Sequence, residues 1–225
     1  MDYCLSQDLG RMGDYHGQIL TETKIKVRGR TEMARGWDEE AHQDVIYPEI
    51  VVRWINRNQL SYDKLIDDTI MRLQNPQVFE NCWHVVDATG VGLPTIDYMR
   101  RQGLKPVGIW ISSGSSARPT DYGYTVPKLE LINALQLALT SGMIKFSQGL
   151  DAAMVKQLLH EFQTFKDKRS DGGGMEAWRE KDHDDLVLSL AMNVWWVMKV
   201  SGINLVQNKR FRQKDDYDSN LIFTM

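Results

Sequence analysis

The sequence predicts an α/β domain: a mixed sheet, begun by a three-strand antiparallel meander, continued by parallel strands and flanked by helices. Three observations carry this. Residues 18–28, QILTETKIKVR, alternate Ile19, Thr21, Thr23, Ile25 and Val27 with polar positions, the period of a strand. Residues 82–112 run strand, turn, helix, strand, a unit that demands parallel neighbours. Residues 186–200, LVLSLAMNVWWVMKV, are apolar nearly all round, the mark of a helix buried on every side.

In chain order, residues 2–9 form a strand that starts almost at the first residue, as expected of a domain cut from a longer chain. A turn-rich loop from Gly10 to Gly17 leads into the second strand, and a polar loop over 29–44 into the third, at 45–57. Pro48 makes that strand an edge or marks its entry point. Ser61 caps a helix carrying Leu65, Ile66, Ile70 and Leu73, which stops before Pro76. The fourth strand, 82–88, turns through 89–94 into a helix over 94–102 that Gly103 ends, and 106–112 is the next strand. A flexible loop is expected over 113–125. Pro127 opens a helix with Leu131, Ile132, Leu135 and Leu139 on its buried side. Asp151 caps another, with Val155, Leu158, Leu159 and Phe162 at helical spacing. Residues 162–181 read as two polar strands joined at Asp171-Gly172-Gly173-Gly174, an extra β-hairpin. The domain spans 1–202, and 203–225 is a mobile polar tail.

With 42% hydrophobic and 25% charged residues, the chain can build one sizeable core. No apolar run is long enough for a membrane span, and the N-terminus lacks a signal-peptide pattern. Cys4 and Cys82 read as reduced, buried thiols of a cytoplasmic protein. The formal charge of −3 splits into −5 over residues 1–90 and +2 over 91–225, so any polyanion-binding surface is local and built from the second half. No GxxxxGK[ST] loop occurs, which excludes an ATPase of that type.

Five acids stand apart by context. Asp8 ends the first strand, Asp14 lies in the loop after it, and Asp87 ends the fourth strand. Asp184 and Asp185, preceded by His183, open the last helix. Taken singly, each reads as a turn former or a helix cap. Together, strand-end acids and a helix start converge outside the carboxyl ends of parallel strands, where sites of such sheets lie. So many carboxylates stay ionised in one pocket only with cations, and oxygen ligands select Mg²⁺ or Mn²⁺. Lys128, in the first turn of its helix, opposes the helix dipole and is a candidate for a phosphate or a site carboxylate.

The segments SQDLGRMGDY (6–15), VVDATGVG (85–92), VPKLELINALQLALTSGMIKF (126–146) and HDDLVLSLA (183–191), in this order, resemble the C-terminal nuclease domain of the large terminase subunit of tailed bacteriophages, a ribonuclease H-like nuclease. The resemblance implies a metal-dependent endonuclease that cuts concatemeric viral DNA during genome packaging, in the host cytoplasm. Asp8, Asp87 and Asp185 would form its catalytic, metal-binding triad. Asp184 would be a further ligand or only the cap, and Asp14, His183 and Lys128 auxiliary groups. It implies two Mg²⁺ or Mn²⁺ ions, double-stranded DNA as substrate, and a terminase ATPase domain (in the same full-length chain), small terminase subunit and portal as partners, with no membrane. The hairpin would lie beside the groove, making Lys166, Lys168, Arg169 and Arg179, with Lys128 and Arg118, candidate DNA contacts. Tyr15-His16-Gly17 departs from the family pattern, which often has a small residue or Thr there. The competing readings are another ribonuclease H-like nuclease, such as a junction resolvase or hybrid nuclease, and a non-catalytic docking module of a packaging motor.

Overall fold

The computed structural model describes residues 2–10, 13–28, 45–78, 80–90, 92–170 and 184–200. Eight strands and five helices are described: β1 Tyr3–Asp8, β2 His16–Arg28, β3 Val45–Asn58, α1 Tyr62–Leu73, β4 Cys82–Asp87, α2 Gly92–Arg101, β5 Pro106–Ser112, β6 Arg118–Thr120, β7 Gly123–Pro127, α3 Lys128–Thr140, β8 Ile144–Phe146, α4 Ala152–Ser170 and α5 Asp185–Val200. They form one mixed sheet in the order β6-β7-β5-β4-β1-β2-β3-β8. β2 runs antiparallel to β1 and β3, while β1, β4, β5 and β7 are parallel. This is a ribonuclease H-like sheet, and it puts the carboxyl ends of β1 and β4 side by side.

Helices cover both faces. α3, α4 and α5 pack on one, where Ile19, Val52, Val85, Leu131, Leu135 and Leu158 surround α5. α1 and α2 pack on the other through Leu65, Ile66, Ile96 and Met99 against Val86 and Ala88. All thirteen residues from Leu186 to Met198 are buried, as the sequence predicts. Two of them are polar, and both bond to the strands below. Ser189 Oγ donates to the Ser6 carbonyl at 3.0 Å, and Asn193 Nδ2 to the Cys4 carbonyl at 2.9 Å. Asn193 Oδ1 also accepts from Thr21 Oγ1 at 2.7 Å. A purely apolar helix could slide on a sheet, whereas these directional bonds fix its register.

The structure departs from the expected elements in four places. α4 runs on to Ser170, so the first half of the predicted hairpin is helix; Phe165, seven residues after Leu158, is buried with it and no breaker precedes Gly172. The rest of the predicted hairpin lies outside the described residues, as does the 203–225 tail. The 113–125 stretch is not all loop: β6 and β7 form a hairpin there, and β7 extends the parallel sheet. β8, three residues long, pairs with Ile50–Val52 of β3 and is too short to show a period. Ile25, alternating as a core residue should, is 59% exposed, because the far ends of β2 and β3 run past the helices. Pro48 sits in that overhang, beyond the β3 residues that β8 pairs, where its missing N–H costs no ladder bond. Cys4 is buried and Cys82 half-buried, both as free thiols. Trp195 and Trp196 are core; Trp110 is half-buried against the α2 side.

Candidate functional site

Asp8 is the last residue of β1 and Asp87 the last of β4, strands in parallel register with Gln7 beside Val86. Each side chain belongs to a residue only 8% exposed. Their carboxyl groups come within hydrogen-bonding reach of each other. Burial, then the charges of Asp87, Asp185 and Asp184, pushes Asp8 well above the usual carboxylate range, against a partial offset from Lys128. Burial also raises Asp87, opposed by its bonds to Thr89 and Asp8. The Thr89 N–H donates to Asp87 Oδ1 at 2.7 Å. Asp87 is thus a turn former and a site carboxylate at once. Such a pair titrates as a unit and holds a proton readily.

The other wall is the start of α5. The Asp184 carbonyl accepts the Leu188 N–H at 2.9 Å, so Asp184 stands at the N-cap by backbone. Its side chain does not cap: Lys128 Nζ donates to Asp184 Oδ2 at 3.1 Å. Of the two roles open to Lys128, contact with a site carboxylate is the one formed. The cap comes from elsewhere. Glu161, in the middle of α4 and 1% exposed, takes the Leu186 and Val187 N–H groups on Oε2 at 2.9 and 3.3 Å. Burial lifts its pKa to about 7. Arg57 Nε stands 3.7 Å from its Oε1, beyond hydrogen-bond reach, so desolvation rather than that pair dominates.

Asp185 is held by Arg57, whose Nε–H donates to Asp185 Oδ2 at 3.0 Å. The Arg57 guanidinium lies 3.9 Å from the centre of the Tyr15 ring. Here the unusual Tyr15-His16-Gly17 run finds its physical use. Tyr15 backs Arg57, and buried His16 donates from Nε2 to the Leu60 carbonyl at 2.8 Å. Gly17 lets α5 land: a Cβ there would sit 2.3 Å from the Asp185 carbonyl oxygen. Gly17→Ala is therefore expected to push the α5 start off β2 and to cost about 1–3 kcal/mol in urea unfolding. An unchanged midpoint and slope would show that α5 has room to spare.

The structure brings Asp8, Asp87, Asp184, Asp185 and Lys128 into one electrostatic group. Asp14 is exposed and acts on Tyr62, whose pKa burial and then the Asp14 charge raise. Arg118 is exposed on β6. His183 and Arg179 lie outside the described residues, as do the side chains of Lys166, Lys168 and Arg169 on the last turns of α4. Among the described residues, no three His, Cys, Asp or Glu side chains stand in ready-made ligand geometry. Sequence reasoning missed Arg57, Glu161 and Thr89. Arg57, next to last in β3, and Glu161, mid-helix between His160 and Phe162, look like ordinary charged residues in the sequence.

No family model matches this chain, and no curated protein does. Among solved structures, it is similar to the large terminase nuclease from thermophilic phage G20c, with 16% identity and a TM-score of 0.45 over 85% of this chain and 80% of that one. It is also similar to the human cytomegalovirus terminase nuclease domain, with 11% identity and a TM-score of 0.46 over 89% and 87%. A manganese-soaked form of the latter domain gives 12% identity and a TM-score of 0.46 over 89% and 85%.

Proposed function

We propose that this chain is a divalent-metal-dependent DNA endonuclease that cuts concatemeric viral DNA during genome packaging. The observation that supports it best is four carboxylates gathered at the carboxyl ends of β1 and β4 and the start of α5. Only two side-chain cations, Lys128 and Arg57, bond to them among the described residues. Among the described residues, these four acids outnumber the cations that bond to them. An all-oxygen, electron-rich site fits Mg²⁺ or Mn²⁺. Burial first, and for Asp8 then the neighbouring carboxylates, disfavours the charged form of the pair, a penalty that a bound cation would relieve.

In this reading Asp8, Asp87 and Asp185 would hold the metal ions, while Asp184 is bonded to Lys128. Two bound ions would supply an activated water and stabilise the departing oxygen of a phosphodiester. The protein's own part is geometric. Buried strand ends fix Asp8 and Asp87, and the α5 register fixes Asp185. With a net charge of −3, DNA affinity rests on local phosphate contacts and falls with salt. The motif resemblance supplies the rest: double-stranded DNA as substrate, and a packaging ATPase, small terminase subunit and portal as partners. Plasmid digestion tests the proposal. The chain is expected to nick and linearise supercoiled DNA at low salt with Mn²⁺ or Mg²⁺, and not with chelator. Undiminished cutting by purified Asp185→Ala, or by the parent chain in chelator, would refute the site.

A further inference from the structure

We infer that Arg57 and Glu161 are positioning residues for Asp185, and that through it they set how tightly the site takes up a divalent cation. This rests on the nuclease reading for the role of Asp185 and on nothing else in it. Asp185 is held at two levels. Glu161 fixes its helix, taking the next two N–H groups of α5 on one carboxylate oxygen. Arg57 fixes its carboxylate, through Nε on Oδ2. The two holders are linked. Glu161 turns its other oxygen, bonded to Gln157 at 3.2 Å, toward Arg57 Nε at 3.7 Å.

Neither group is built to touch DNA. The Glu161 side chain is 1% exposed and that of Arg57 11%. Arg57 Nη2 is buried, with no hydrogen-bond partner among the described residues. The Tyr15 ring covers the guanidinium. A buried arginine with an idle N–H is an expensive way to neutralise a carboxylate that is 17% exposed. What it provides is orientation. A carboxylate with one oxygen fixed by a rigid, charged donor presents the other in one direction. Groups that bond to metal ligands in this way are worth roughly 10–100-fold in metal affinity. The opposing effect is charge, since a cation beside Asp185 repels a metal ion. The two effects have opposite signs, so the experiment separates them.

The full chain would be titrated with Mn²⁺, following free ion by electron paramagnetic resonance. The samples are the parent, Arg57→Met, Glu161→Gln and Asp87→Asn, all well below their melting temperatures. Arg57→Met is expected to bind Mn²⁺ roughly 10–100-fold more weakly. Glu161→Gln, which keeps a carbonyl oxygen for the α5 cap but loses the charge facing Arg57, is expected to shift in the same direction. It also serves if Arg57→Met does not fold. Unchanged or tighter Mn²⁺ binding by either folded variant would overturn the inference, marking Arg57 as a mere counter-ion. Asp87→Asn separates the two layers: Mn²⁺ binding equal to the parent's there, or none by the parent, overturns the nuclease reading beneath.

Discussion

Asp8→Asn is expected to lose metal-dependent cutting and yet to melt above the parent chain in chelator. The loss should be roughly a hundred- to a thousandfold, the scale seen when one preorganised electrostatic element of an active site is removed. The gain comes from the same group. The parent carboxyl is buried against Asp87 and feels Asp185 and Asp184, so its charged form is disfavoured. An amide of the same shape removes that penalty, and functional acids released in this way give roughly 0.5–2 kcal/mol. The sign with pH follows from the raised pKa. Between the ordinary value of 3.8 and the raised one, the folded chain holds a proton that the unfolded chain releases. Parent stability therefore falls as pH rises through that window and recovers as pH falls. The advantage of Asp8→Asn should grow as pH rises through that window and fade toward about pH 4. Adding Mn²⁺ should reverse the order, since only the parent gains binding energy. Calorimetry over pH 4–8, with chelator and with Mn²⁺, checks all of this; a parent that melts above Asp8→Asn in chelator at pH 7.5 contradicts it.

Glu161→Ala should be strongly destabilising for a change at a charged residue. It strips two N–H groups of α5 of their acceptor in a place closed to water. It also leaves Arg57 with Asp185 as its only carboxylate among the described residues. A lost cap costs about 0.5–2 kcal/mol and each stranded buried donor about 1–3. Relaxation of the helix end offsets part of this, so the expected total is about 2–4 kcal/mol. Glu161 has a raised pKa, about 7, so its contribution is fullest at low pH and declines as pH climbs from 4.5 through 7. The deficit of Glu161→Ala is therefore larger at pH 6 than at pH 8. Urea unfolding at both values measures it, and a deficit that grows with pH would contradict the burial-driven shift.

What the sequence disclosed and what it hid divide on physical lines. The α5 helix was legible because thirteen buried positions in a row leave no polar face. The strand–helix–strand unit over 82–112 made the parallel pairing of β4 with β5 legible, and β1 pairs with β4 on its other side, which sets Asp8 beside Asp87. Interactions written in tertiary space were not legible. Nothing in QLLHEFQTF marks Glu161 as the cap of a helix that begins 24 positions later. Arg57 is one of three basic or amide residues closing a strand, and only the fold aims it at Asp185. The hairpin expected over 162–181 failed at its start because glycines locate a turn but not the state of the chain before it. Phe165, aligned with Leu158, carries the helix onward.

The last helix has a further consequence, for synthesis rather than catalysis. Asp8 and Asp87 leave the ribosome long before Asp185, and the strands that bear them already have partners in β2 and β5. The face that α5 covers stays bare until residues 186–198 arrive, and those residues, as a free segment, are an almost continuous greasy strip. The same insertion that completes the carboxylate group also hides the stickiest part of the polypeptide. Under the proposed function, cutting competence would arrive with the burial of that strip, and a nascent chain stalled before it would be both inert and prone to aggregate.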